Sequence, residues 1–163
     1  MVAANLAAER NDRIVAAVLI GPVHPSPHVS EIFAKRIQLV EKEGMEPLAN
    51  TIPSAATAQN ASPIVRAFIR ELLLTQDPAG YCSNCRVIAN AKPPTYDKIS
   101  IPALVIAGEE DKSAPLKDCE KIYEAIGTGE KKMEVLRQVG HWHCLEAFEE
   151  VVKIIRAFYH EIQ

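Results

Sequence analysis

Apolar residues follow two rhythms along this chain. Lys132 to Leu136 reads as a third, shorter strand, whereas Ile14 to Ile20 and Ile101 to Ala107 are continuous runs, apolar at nearly every position. Such runs fit strands covered on both faces, as in parallel sheets. Elsewhere the spacing is helical. Residues 1 to 10 place Ala3, Ala4, Ala7 and Ala8 around Leu6, the composition of a helix packed tightly on a sheet. Asn11-Asp12 should make the turn into the first strand, which Gly21-Pro22 closes. Ser30 is expected to cap a helix to about Glu43, with Phe33, Ile37 and Val40 on one face and Gly44 as its stop. Met45 to Ile52 reads as a short helical piece. Ser62-Pro63 and Asp77-Pro78 each start a further helix. The first carries Val65, Phe68, Ile69, Leu72 and Leu73, and the second Tyr81, Cys82, Cys85, Ile88 and Ala89 before Pro93-Pro94. Lys117 to Ile126 and Glu146 to Ile162 are the remaining helices, the last with Val151, Ile154, Ile155 and Phe158 inward.

Strand, helical insert, strand, helix, strand, helix is the order of an α/β fold with about three parallel strands and right-handed crossovers. The insert has too many apolar anchors for a linker. Residues 1–23 are expected to be the first part of the core, 24–98 a helical layer and 99–163 the rest of the core. The opening helix has no N-cap before it, so the chain is expected to begin inside an element.

At 163 residues the chain has the length of one domain. Its charge of -3 offers no basic surface for nucleic acid or an anionic membrane. No apolar run reaches the roughly 18 residues of a membrane span, and the N-terminus lacks a signal-peptide pattern, so the expected compartment is the cytoplasm. Cys82-Ser-Asn-Cys85 has metal or redox spacing, but Cys119 and Cys144 do not form a second ligand pair, and the motif lies in a helical pattern.

Ligands bind at the carboxyl ends of strands in open parallel sheets. Three turns fall there: Gly21 to His24, Gly108 to Pro115 and Gly140 to His143. Asp111, just beyond Gly108, is the best placed acid, with Glu109 and Glu110 as alternatives should the register slip. His141 follows the third strand about thirty residues later and is the candidate base, whose tautomer an Asp would hold. His143 is a candidate for a supporting or surface role, and a zinc site on His141 and His143 lacks further ligands. His24, Tyr81 and Trp142 are candidate pocket residues, with packing as the alternative for the two aromatics and loop solvation for His24, as for His28.

Pro102 to Gly108, Asp111, Pro115 and then Gly140-His141-x-x-x-x-Glu146 resemble the C-terminal half of the α/β-hydrolase superfamily. Arg70 to Cys82 resembles the cap of its 3-oxoadipate enol-lactonase and esterase branch. The resemblance implies a partial α/β-hydrolase fold in which residues 24–98 are the cap. It also implies hydrolysis of a small carboxylic ester or lactone by a Ser-His-Asp triad, with Asp111 and His141 as acid and base and no metal or organic cofactor. The nucleophile of that superfamily stands in a Gly-x-Ser-x-Gly elbow, and the sequence contains none. Ser26, Ser54, Ser62, Ser83 and Ser113 are not on elbows. The residues after Met1 resemble the helix following the elbow, which places the serine about four residues before Met1. An Asp there would instead imply an epoxide hydrolase or dehalogenase. The chain alone is then expected to be inactive. The competing expectation is a non-catalytic, truncated or split interaction module that pairs with an N-terminal piece or with itself through an exposed sheet edge.

Overall fold

The computed structural model describes residues 1–10 and 12–163, so the Asn11 half of the expected first turn lies outside the described residues. Three parallel strands, β1 (Ala17–Ile20), β2 (Ala103–Gly108) and β3 (Lys131–Leu136), form one sheet in the order β1-β2-β3. Helix α1 (Val2–Glu9) precedes β1. Four helices, α2 (Pro27–Glu43), α3 (Glu46–Ala56), α4 (Pro63–Leu74) and α5 (Pro78–Ala89), stand between β1 and β2. Helix α6 (Leu116–Ala125) connects β2 to β3, and the short α7 (His143–Glu146) and α8 (Phe148–Glu161) follow. The α/β class and parallel topology expected from the apolar runs are what the chain adopts.

Strand β2 is buried at all six positions, because both faces of the sheet are covered. Ala103, Val105 and Ala107 point to one side and pack with Ala4, Ala7 and Ala8 of α1 and Cys119 and Ile122 of α6. Leu104 and Ile106 point to the other and meet Val151 and Phe158 of α8. Alternation along the strand therefore feeds two cores. Each fully buried aliphatic side chain stabilises the fold by about 1.5–3 kcal/mol relative to its exposure. A third core joins α2 to α5 through Val40, Leu48, Ile52, Ile69, Leu73 and Cys82, with Trp142 and Leu145 packed against it from the end of the sheet.

Several boundaries differ from the sequence reading. Strand β1 is four residues rather than Ile14 to Ile20, and Val15 is 86% exposed. Its ladder starts opposite Ala103 because Pro102, the residue before β2, has no amide hydrogen to extend it. Helix α2 is capped by Ser26, whose hydroxyl accepts from the Val29 amide at 3.2 Å, not by Ser30. Ser26-Pro27 is thus a third instance of the cap-then-proline signal seen at Ser62-Pro63 and Asp77-Pro78. Helix α3 continues past Ile52 through Pro53 to Ala56, and Phe68 of α4 is 51% exposed, off the packed face. The single closing helix expected from Glu146 is two, since α7 takes Glu146 before α8 begins at Phe148.

Candidate active site

The turns after β2 and β3 meet at the carboxyl end of the sheet. Asp111 has a fully buried side chain. Its Oδ1 accepts from the Ser113 and Ala114 amides at 2.7 and 2.8 Å, a local turn that fixes the carboxylate plane. Oδ2 then faces His141, 2.9 Å from Nδ1. With Nδ1 held by Asp111, Nε2 is the His141 nitrogen left for proton transfer. Glu109 and Glu110 bond elsewhere, accepting from the backbone amides of Gln138 and Gln59, both at 2.9 Å.

The backbone of the His141 turn is tied to the end of α3. The His141 amide donates to the Ala56 carbonyl at 2.8 Å. Glu146 reaches across with both oxygens: Oε2 accepts from the amides of Ala58 and Gly140 at 2.7 and 3.0 Å, and Oε1 from that of Trp142 at 3.0 Å. The approach is so close that a Cβ at Gly140 would lie 2.6–2.7 Å from backbone atoms of Thr57 and Ala58. Arg66 holds the other side of this segment through Thr57 Oγ1 and the carbonyls of Ala58 and Gln59. Sequence reasoning missed the 56–59 segment, whose partners lie far away in the chain. The Glu of the Gly140-His141-x-x-x-x-Glu146 spacing was its one visible trace.

His143 is buried beneath this pair rather than on the surface. Its Nδ1 lies 2.8 Å from the His141 carbonyl, and its Nε2 has no hydrogen-bond partner and lies 3.7 Å from Asp111 Oδ2. Burial pushes the ring below its ordinary histidine value, against the opposing pull of Asp111. Donor atoms of Asp111, His141 and His143 come within 4.8 Å of one another. Asp111 and His141 are already engaged with each other in a hydrogen bond.

A cavity of about 610 Å³ opens between the sheet end and α2–α5, lined by His24, Tyr81, Trp142 and His141 among others. Ile32, Phe33, Ile52 and Leu73 make much of its wall apolar, while Arg36 and Lys112 bring positive charge. Arg36 lies over the Phe33 ring at 4.8 Å. Among the described residues neither Arg36 nor Lys112 has a carboxylate within ion-pair distance, whereas Asp118, an acid on the same wall, is paired with Lys121 at 2.7 Å. A smaller cavity of about 480 Å³ is lined by Met1, Gly21, His141 and His143. Cys82 and Cys85 are free thiols buried on α5, a packing role for the CxxC spacing. Among the described residues no helix is long and apolar enough to cross a membrane.

No established family profile matches the chain. It is similar to a 3-oxoadipate enol-lactonase of Acinetobacter baylyi, 28% identical over 133 residues, which cover 77% of this chain and 49% of that protein. Among solved structures it is similar to an enol-lactonase from Burkholderia xenovorans, with a TM-score of 0.87 and 27% identity over 97% of this chain and 61% of that one. A thermophilic esterase from Thermogutta terrifontis shares the fold at a TM-score of 0.87 and 24% identity, covering 99% of this chain and 61% of that one. The chain thus spans about half the length of its curated relative.

Proposed function

We propose, from the likeness of the chain to an enol-lactonase and an esterase of α/β-hydrolase fold, that it supplies the acid and base of a hydrolase for a small ester or lactone. The observation that carries this reading is the 2.9 Å bond to buried Asp111 from Nδ1 of His141, a residue that lines a largely apolar cavity. In the proposed reaction a serine hydroxyl attacks the acyl carbon and His141 Nε2 takes its proton. Asp111 holds the tautomer and stabilises the imidazolium. His141 returns the proton to the leaving oxygen, and water then cleaves the acyl-enzyme by the same route.

The serine is assigned to a segment preceding Met1. Met1 and His141 line one cavity, so a nucleophile near that end of α1 would approach the His141 ring. Residues 24–98 act as the cap over the core formed by 1–23 and 99–163, and the cavity between them takes the substrate. Its unpaired cations favour a substrate carrying its own carboxylate, as an enol-lactonase-like activity requires, with Arg36 as the anchor. His24, Tyr81 and Trp142 shape the remaining wall.

The test is hydrolysis of p-nitrophenyl acetate. The 163-residue chain alone is expected to show no His141-dependent turnover. Fused in frame behind the part of the enol-lactonase that it does not match, which brings the Gly-x-Ser-x-Gly elbow and the oxyanion-hole loop, it is expected to turn over, and His141→Ala should then lower kcat by about 10³-fold or more. A silent fusion, or a burst from the unfused chain that His141→Ala abolishes, would overturn the assignment.

A second reading follows from the sheet edge. Among the described residues β1 pairs with β2 alone, leaving its outer edge without a strand partner. A non-catalytic module pairing there with another segment or a second copy fits that edge. Sedimentation as a monomer at all concentrations would count against it.

A further inference from the structure

Two imidazoles address one carboxylate oxygen in this site. Asp111 Oδ2 is 2.9 Å from His141 Nδ1 and 3.7 Å from His143 Nε2. The Nδ1 of His143 lies against a carbonyl oxygen, which can only accept, so Nδ1 carries the proton and a neutral ring turns the bare lone pair of Nε2 toward Asp111. This is a poor contact, consistent with the lack of any partner for that buried atom. A protonated ring would donate from both nitrogens, to the His141 carbonyl and to Asp111. The niche is built for this side chain: a Cβ at Gly21 would lie 2.6 Å from His143 Cε1.

We propose that His143 is a positioning residue for the Asp111–His141 pair, leaving the carboxylate to His141 when neutral and competing for the same oxygen when protonated. The functional meaning rests on the acid–base reading of that pair. Three charged or titratable groups act on His143: Asp111 from the turn after β2, and His141 and Glu146 from its own turn. Met1 lines the same cavity. Gly21, from the turn after β1, brings no charge. Burial and the His141 ring oppose the protonated form, while Asp111, the His141 carbonyl and Glu146 favour it. A proton on His143 draws Asp111 Oδ2 toward Nε2 and lengthens its bond to His141 Nδ1. The tautomer and orientation of His141 are then less firmly held, and proton transfer through its Nε2 slows at the acid end of the pH range.

Long-range proton–nitrogen NMR of the 15N-labelled chain tests the proposal without any turnover. At pH 8 His143 is expected as the Nδ1–H tautomer. On acidification its Nε2 should gain a proton, and the His141 Nδ1–H resonance should shift in the same step. In His143→Gln that step should be lost while the His141 Nδ1–H signal persists. A neutral His143 found as the Nε2–H tautomer, or a His143 that titrates without a response at His141, would overturn the proposal from the wild-type spectra alone, whether or not the variant folds. A coupled pair in these spectra together with a silent elbow fusion would instead remove the hydrolase reading and leave the His143–Asp111–His141 coupling standing.

Discussion

Glu146 Oε2 lies 2.7 Å from the amide nitrogen of Ala58, 88 residues away in the chain. The same oxygen takes the Gly140 amide, so one carboxylate joins the end of α3 to the turn that bears His141. Removing an acceptor from partly buried donors costs more than the bond is worth, because the amides are left unpaired. Glu146→Ala is expected to lower stability by about 2 kcal/mol, with Glu146→Gln losing less because its carbonyl still accepts. Urea denaturation of the two variants measures the difference, and equal midpoints would show that the amides find water instead.

Gly21 combines a φ of +50° with a side occupied by the His143 ring. An alanine there meets both a backbone penalty and overpacking, which together give a destabilisation of about 2–4 kcal/mol. A Gly21→Ala melting temperature equal to wild type would mean that the ring moves freely out of the niche. Combining Gly21→Ala with His143→Ala should recover the packing part and leave the backbone part.

Stability should depend on pH through His143. Its folded value is lowered from an ordinary 6.5, with burial the largest cause. The unfolded chain therefore takes up a proton at a higher pH than the folded one. The contribution is complete above the unfolded value and is lost as pH falls through it toward the folded value. The slope from this one group is at most about 1.4 kcal/mol per pH unit. Wild type should lose stability relative to His143→Gln as pH falls through the ordinary histidine value, and parallel curves would remove His143 as the cause.

Thiol reactivity should separate the four cysteines. Cys144 is exposed, while Cys82, Cys85 and Cys119 are buried. Burial also raises the thiols of Cys85 and Cys119, the latter to about 12, and keeps them from the reactive thiolate form. With an aromatic disulfide reagent at neutral pH, one thiol should react fast and three only on unfolding. Rapid loss of Cys82 and Cys85 together would return the CxxC pair to redox chemistry.

Arg36 offers a ligand test that needs no nucleophile. A small dicarboxylate such as adipate should bind the folded chain more weakly after Arg36→Ala, by about tenfold, the loss of one charged hydrogen bond. Calorimetry with equal affinity for both proteins would move the anion elsewhere, and Lys112→Ala is the next variant to measure.

The parallel sheet, the four-helix insert and the placing of Asp111 and His141 after strand ends were legible in the residues alone. Each depends on local signals: apolar runs for β1 and β2, cap-then-proline pairs for α4 and α5, and a glycine turn before each candidate side chain. Where a boundary was misread, the deciding partner was distant. Pro102 shortened β1 from just before the neighbouring strand, and α3 ran through Pro53 in a buried setting that propensity does not register. The Asp111–His141 distance, the descent of His143 beneath that pair and the bridge from Glu146 to Ala58 arose only on folding, because they join residues from different turns whose separation in the sequence says nothing about their contact. Periodicity governs which face of an element is buried. Packing alone brings the ends of those elements together, and the chemistry of this site lies where they meet.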